Sequence, residues 1–149
     1  MRFVWLVLLA GCWTSSATKP TASPDEAPPQ REPFPLHSKW TGVYRCSQGL
    51  TAMYLELTAK PDGNVTAIFE FSATAETPTT ATGAYRLAGT IRAGREGTFE
   101  IKLDPLEWIM APDGYIMVSL AATSSRKWQR LVGTIKHPAC GELDVRRTD

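Results

Sequence analysis

From Trp40 onward, apolar and polar residues alternate in short runs, the pattern expected of strands buried on one face. Eight segments carry it: Gly42 to Cys46, Thr51 to Thr58, Asn64 to Phe71, Gly83 to Ile91, Thr98 to Leu103, Tyr115 to Ala121, Trp128 to Ile135 and Gly141 to Val145. The inward positions are Met53, Leu55 and Leu57 in the second, Val65, Ala67, Phe69 and Phe71 in the third, Tyr85, Leu87, Gly89 and Ile91 in the fourth, and Phe99, Ile101 and Leu103 in the fifth. Turn chemistry separates them. Pro61-Asp62-Gly63-Asn64 and Pro112-Asp113-Gly114 combine a Pro that presets φ with a Gly that accepts positive φ, Arg95-Glu96-Gly97 suits a tight hairpin, and 76–82 reads as a longer exposed loop. No stretch has helical periodicity, and Leu106 to Met110 has room for at most one turn of helix. The expected class is therefore all-β, with about eight antiparallel strands closed as a small barrel or, alternatively, stacked as a β-sandwich.

Residues 13 to 38 look different. They are dense in Pro, Ser and Thr, with few large apolar side chains, and read as a tether that cannot bury enough surface to fold. Ahead of them, Met1-Arg2 supplies positive charge, and the apolar run from Phe3 to Leu9 is far shorter than the ~20 residues of a membrane-spanning helix. The run ends in Leu9-Ala10-Gly11-Cys12, which resembles the lipobox of bacterial lipoprotein precursors. That resemblance implies cleavage of the signal segment 1–11, a diacylglyceryl group on the Cys12 sulfur and an acyl chain on its nitrogen. The membrane would then be held through lipid alone, since each buried methylene contributes ~0.8 kcal/mol. Trp13 stands where an Asp would favour retention at the inner membrane. The expected location is the outer membrane, the alternative being the extracellular face of the plasma membrane.

Lipidation of Cys12 would leave Cys46 and Cys140 as a pair in an oxidising compartment. A bond between them would set the first strand beside the last, as closure of an up-and-down barrel requires, and this decides for the barrel over the sandwich. Trp40-Thr41-Gly42-Val43-Tyr44 resembles the opening strand of calycin-type barrels such as lipocalins, which implies a Trp plugging one end; core packing alone also accounts for the pattern.

Charge narrows the partners. From Trp40 onward, four Lys and eight Arg face five Asp and seven Glu, and the basic pairs Arg126-Lys127 and Arg146-Arg147 stand apart. No concentrated basic footprint exists for nucleic acid. Nor does the sequence supply a catalytic constellation. The two histidines are His37, in the tether, and His137, in a loop; there is no paired His or Cys spacing for zinc, no phosphate loop and no G-x-S-x-G. Neither an enzyme nor a cofactor is expected.

One segment, Asp104 to Tyr115, breaks the β pattern with two prolines, three carboxylates and two aromatics. Trp108 and Tyr115 could stack on a sugar ring or other apolar ligand, while Asp104, Glu107 and Asp113 accept hydrogen bonds or bind calcium. Alternatively, Trp108 and Met110 cap one end of the barrel and the carboxylates sit in solvated turns. The expected role is a membrane-anchored envelope module that binds a protein partner without catalysis, with a small-ligand (lipid or sugar) barrel second and a hydrolase third; oligomeric state is left open.

Overall fold

A computed structural model describes residues 34–125 and 127–149. The signal segment 1–11, Cys12 with its lipobox, the tether up to residue 33 and Arg126 lie outside the described residues. The strands are β1 His37–Cys46, β2 Gly49–Ala59, β3 Asn64–Ser72, β4 Gly83–Ala93, β5 Phe99–Met110, β6 Ser119–Ser124, β7 Arg130–Lys136 and β8 Cys140–Arg147. Each pairs antiparallel with its neighbours in chain order, and β1 pairs with β8 to close the barrel. The barrel is therefore correct and the sandwich is not. Arg95–Gly97, expected as a tight hairpin, forms a single 3₁₀ turn with Glu96 and Gly97 both at positive φ.

Alternation places the core as expected. Met53, Leu55 and Leu57 from β2, Val65, Ala67, Phe69 and Phe71 from β3, Tyr85, Leu87 and Ile91 from β4, and Ile101 and Leu103 from β5 are buried in one cluster that also takes in Leu120, Leu131, Ile135, Leu143 and Val145. These side chains fill the interior of a narrow barrel, as the inward sets required. Trp40 belongs to that packing, fully buried, with its indole N–H donating to the equally buried Ser38 hydroxyl at 2.9 Å.

Closure rests on the β1–β8 ladder, which runs from Trp40↔Arg147 to Cys46↔Cys140, and on a disulfide between those two cysteines, 94 residues apart in sequence. Gly42 makes the ladder possible in a way its aromatic neighbours do not show. A Cβ there would lie 2.1 Å from the Asp144 carbonyl oxygen and 2.7 Å from the Val145 Cα, so the strand backbones meet only because the side chain is absent. Outside the barrel the neighbouring β7–β8 pair is bridged by Arg130, whose Nε donates to Asp144 at 2.7 Å and whose guanidinium holds that carboxyl below the usual carboxylate range.

Several boundaries differ from the sequence reading, four of them with consequences for the site or the tether. β1 starts at His37, and Phe34 packs edge-on against Trp128 with ring centroids 4.7 Å apart, so the fold takes in residues assigned to the tether. His37 is accordingly not a tether residue: its ring contacts Thr58 and Glu56 across β2. β5 runs on through Leu106 to Met110 as strand rather than a helical turn, with register shifts against β4 beside Tyr85 and Leu87. β6 begins at Ser119, not Tyr115, and β7 at Arg130, not Trp128. Both aromatics sit in the preceding connections instead, where they cover the two ends of the barrel.

Candidate functional site

The two ends of the barrel are built differently. At the end where β1 starts and β8 finishes, Trp128 is buried at φ 55°, its ring 4.0 Å from that of Phe99, and Phe34 closes over both. Aromatic packing seals this end. The opposite end carries the two-residue Ser47-Gln48 turn, the 137–139 turn, and the two longest connections, 73–82 and 111–118. Here an apolar cup of about 350 Å³ remains open, lined by Tyr44, Phe71, Tyr85, Tyr115, Val118 and the Cys46–Cys140 disulfide, with Ser47, Gln48 and His137 among its polar contributors.

Each wall of the cup has a local cause. Phe71 is the last inward position of β3 and Tyr85 an early inward position of β4, so alternation aims both rings into the barrel just below the mouth. Tyr115 arrives from the 111–118 connection, whose turn closes with the Tyr115 N–H on the Pro112 carbonyl at 3.3 Å and uses Gly114 at φ 78°. Its ring stacks on Phe71 at 5.3 Å and 20°, and its hydroxyl accepts the Ala81 N–H at 3.2 Å, which ties this loop to the 73–82 loop. That second loop is fastened in turn by the hydroxyls of Thr74 and Thr77, which both donate to the Leu50 carbonyl.

Burial sets the chemistry of the phenols. It pushes Tyr44 up to about 12, against the opposing hydrogen bonds of Thr51 and Gln48, and raises Tyr85 as well, against the opposing hydrogen bond to Val118. Both are uncharged donors and acceptors at neutral pH. The Tyr85 hydroxyl is already committed, donating to the Val118 carbonyl at 3.1 Å and accepting the Val118 N–H at 3.4 Å. At the rim, His137 Nδ1 accepts the Ala139 N–H at 3.2 Å.

The segment singled out in the sequence, Asp104 to Tyr115, borders this mouth, but its members divide. Tyr115 lines the cup, whereas Trp108 stands behind it, edge-on to Tyr85 at 5.2 Å and to Phe71 at 6.4 Å, and buttresses the wall instead of presenting a stacking face. Glu107 pairs with Arg86 at 3.1 Å on the outer surface; Asp104 is exposed on β5 and Asp113 is exposed in the turn before Gly114. None of the three carboxylates lines the cup, and among the described residues no group of three or more His, Cys, Asp or Glu is placed to hold a metal ion.

What the segment does present is apolar surface. Among the described residues, the large hydrophobics left exposed are Leu36, Leu106, Ile109, Met110, Ile116 and Val132, and four of these six fall within residues 106–116. Leu106 is 60% and Ile116 61% exposed. Among the described residues this part of β5 has no strand partner on its β6 side, because β6 pairs only with Glu100 to Leu103. Tyr44, Phe71, Tyr85 and His137 were not legible as site residues. The one available signal was aromatic rings at inward positions near strand ends, where a ring faces a loop as well as the core.

No family model matches the chain and no curated protein matches it, so the site is read from its own geometry.

Proposed function

We propose that this protein is a lipid-anchored, non-catalytic recognition module of the bacterial cell envelope that engages a protein partner with its mouth end. The observation that carries this reading is the concentration of exposed apolar side chains in residues 106–116, beside a strand edge that β6 leaves unpaired among the described residues. A small domain exposing several large hydrophobics from one short segment has a surface suited to burial against another protein. The interior supports the same choice, since among the described residues inward side chains from all eight strands pack into one core cluster and occupy the space a lipid or sugar would need. The anchoring half of the reading comes from the lipobox and Cys12. The disulfide is in keeping with an oxidising compartment. Residues 34–36 enter the barrel at the sealed end, opposite the mouth.

Two experiments test the halves separately. Cys12→Ser is expected to lose lipid-dependent membrane attachment, read as the absence of the acyl mass and of the cleaved form; a normally cleaved, acylated Cys12→Ser product would remove the anchor. A photo-reactive amino acid placed at Ile109 or Ile116 is expected to cross-link one discrete envelope protein in living cells. The same group at Val132, 45% exposed on β7, is expected to give none. Equal yields at Val132 would sink the assignment of the mouth end.

A further inference from the structure

The cup at the mouth has a chemistry that the exposed apolar surface beside it does not explain. Its walls are the rings of Tyr44, Phe71, Tyr85 and Tyr115, the Val118 side chain and a disulfide. Among the described residues no Asp, Glu, Lys or Arg lines it. The volume of about 350 Å³ falls at the lower end of small-molecule sites, with room for two or three fused rings. The wall rings are held firmly: Phe71 and Tyr115 lie nearly parallel, Phe69 stacks on Tyr85 at 4.8 Å and 27°, and Trp108 backs both Phe71 and Tyr85. A ring entering the cup meets faces and edges already fixed in place, which lowers the ordering cost of binding. Polar groups are few and peripheral. Tyr115 accepts from Ala81 and so keeps its own phenolic proton to donate, while Ser47, Gln48 and His137 offer hydroxyl, amide and imidazole groups.

We propose that this cup is a binding site for an uncharged, flat-ring small molecule carrying a polar substituent, seated on Tyr115 and Phe71 with its polar edge toward Ser47, Gln48 and His137. A charged ligand is disfavoured because its charge would enter a mostly apolar cup whose described lining holds no Asp, Glu, Lys or Arg. The ligand sits at the mouth and not in the barrel interior, which the core occupies.

The test uses the full chain and 2-naphthol, an uncharged fused ring with one hydroxyl, with its sulfonated analogue as the charged arm. Titration by calorimetry, with the signal of protein-free detergent subtracted, is expected to show saturable one-to-one binding of 2-naphthol. The sulfonate is expected to bind at least about tenfold more weakly. Tyr115→Ala, which removes the stacked wall, is expected to weaken 2-naphthol binding by about tenfold or more, whereas Tyr115→Phe, which keeps the ring, stays within about threefold. Ser47→Trp, which fills the cup from the turn, is expected to abolish binding and serves as the second variant should Tyr115→Ala fail to fold. Ile109→Ser, outside the cup, is expected to leave binding unchanged. Non-saturable uptake, or equal affinity for Tyr115→Ala, Ser47→Trp and the unaltered chain, overturns the site; equal affinity for the sulfonate overturns its preference for uncharged rings. The protein contact fails on a different result, since loss of cross-linking at Ile109 says nothing about naphthol binding.

Discussion

Replacing Cys46 and Cys140 together by Ser is expected to lower the unfolding free energy by about 4.7 kcal/mol. The two cysteines are 94 residues apart, and chain-entropy loss in the unfolded state grows with the length of the loop that a bond closes. Small domains have total stabilities of about 5–15 kcal/mol, so the loss in the double variant is about a third or more of the total. The measurement is the urea midpoint of the unaltered and double-Ser chains, both free of reductant. A loss below about 1 kcal/mol would mean that the β1–β8 ladder alone supplies the stability of closure. The double variant is the informative one, because either single variant leaves a free thiol that can pair between molecules. Its cup should also loosen, since the bond forms part of the wall, and weaker 2-naphthol binding in the folded fraction would register that.

Trp40→Ala is expected to cost about 4 kcal/mol, the usual range for deleting a large aromatic from a packed core. Two effects combine. The substitution empties a fully buried indole volume, and it strips the buried Ser38 hydroxyl of the N–H it accepts. Trp40→Phe separates them: most of the volume survives but the hydrogen bond does not, and a loss of about 2 kcal/mol is expected. Denaturant midpoints for the two variants check both figures. Should Trp40→Ala cost under about 1 kcal/mol, the sealed end would owe its stability to Phe34, Phe99 and Trp128 instead.

Much of the fold was readable because it rests on a local rule. Alternation with period two is a property of consecutive residues, and it located Met53, Leu55 and Leu57 of β2, Val65, Ala67, Phe69 and Phe71 of β3, Tyr85, Leu87 and Ile91 of β4, and Ile101 and Leu103 of β5. The cysteine count supplied the one long-range constraint, and it brought the first strand to the last as the structure has them. The errors came where composition competed with that rule. His37 and Ser38 were assigned to the tether because proline surrounds them, yet Ser38 is buried as the indole's acceptor. Leu106 to Met110 seemed interrupted because Pro105 lacks an N–H. Pro105 is tolerated there because it pairs with Leu87 on one side and faces no β6 partner on the other.

The candidate site was less legible. Asp104, Glu107, Asp113, Trp108 and Tyr115 are close in sequence, which made them a natural group, but only Tyr115 lines the cup. The other walls come from β1, β3, β4 and the 111–118 connection, with His137 contributed by the turn before β8. By itself, then, the sequence determined the strand class, the inward faces, the pairing of Cys46 with Cys140 and the expectation of a lipid on Cys12. Only the tertiary structure decided that one end of the barrel is sealed and the other is an aromatic cup. The reason is physical: a side chain's face follows from its immediate neighbours, whereas the rings that meet at a barrel mouth depend on strand register and loop path, set by contacts tens of residues apart.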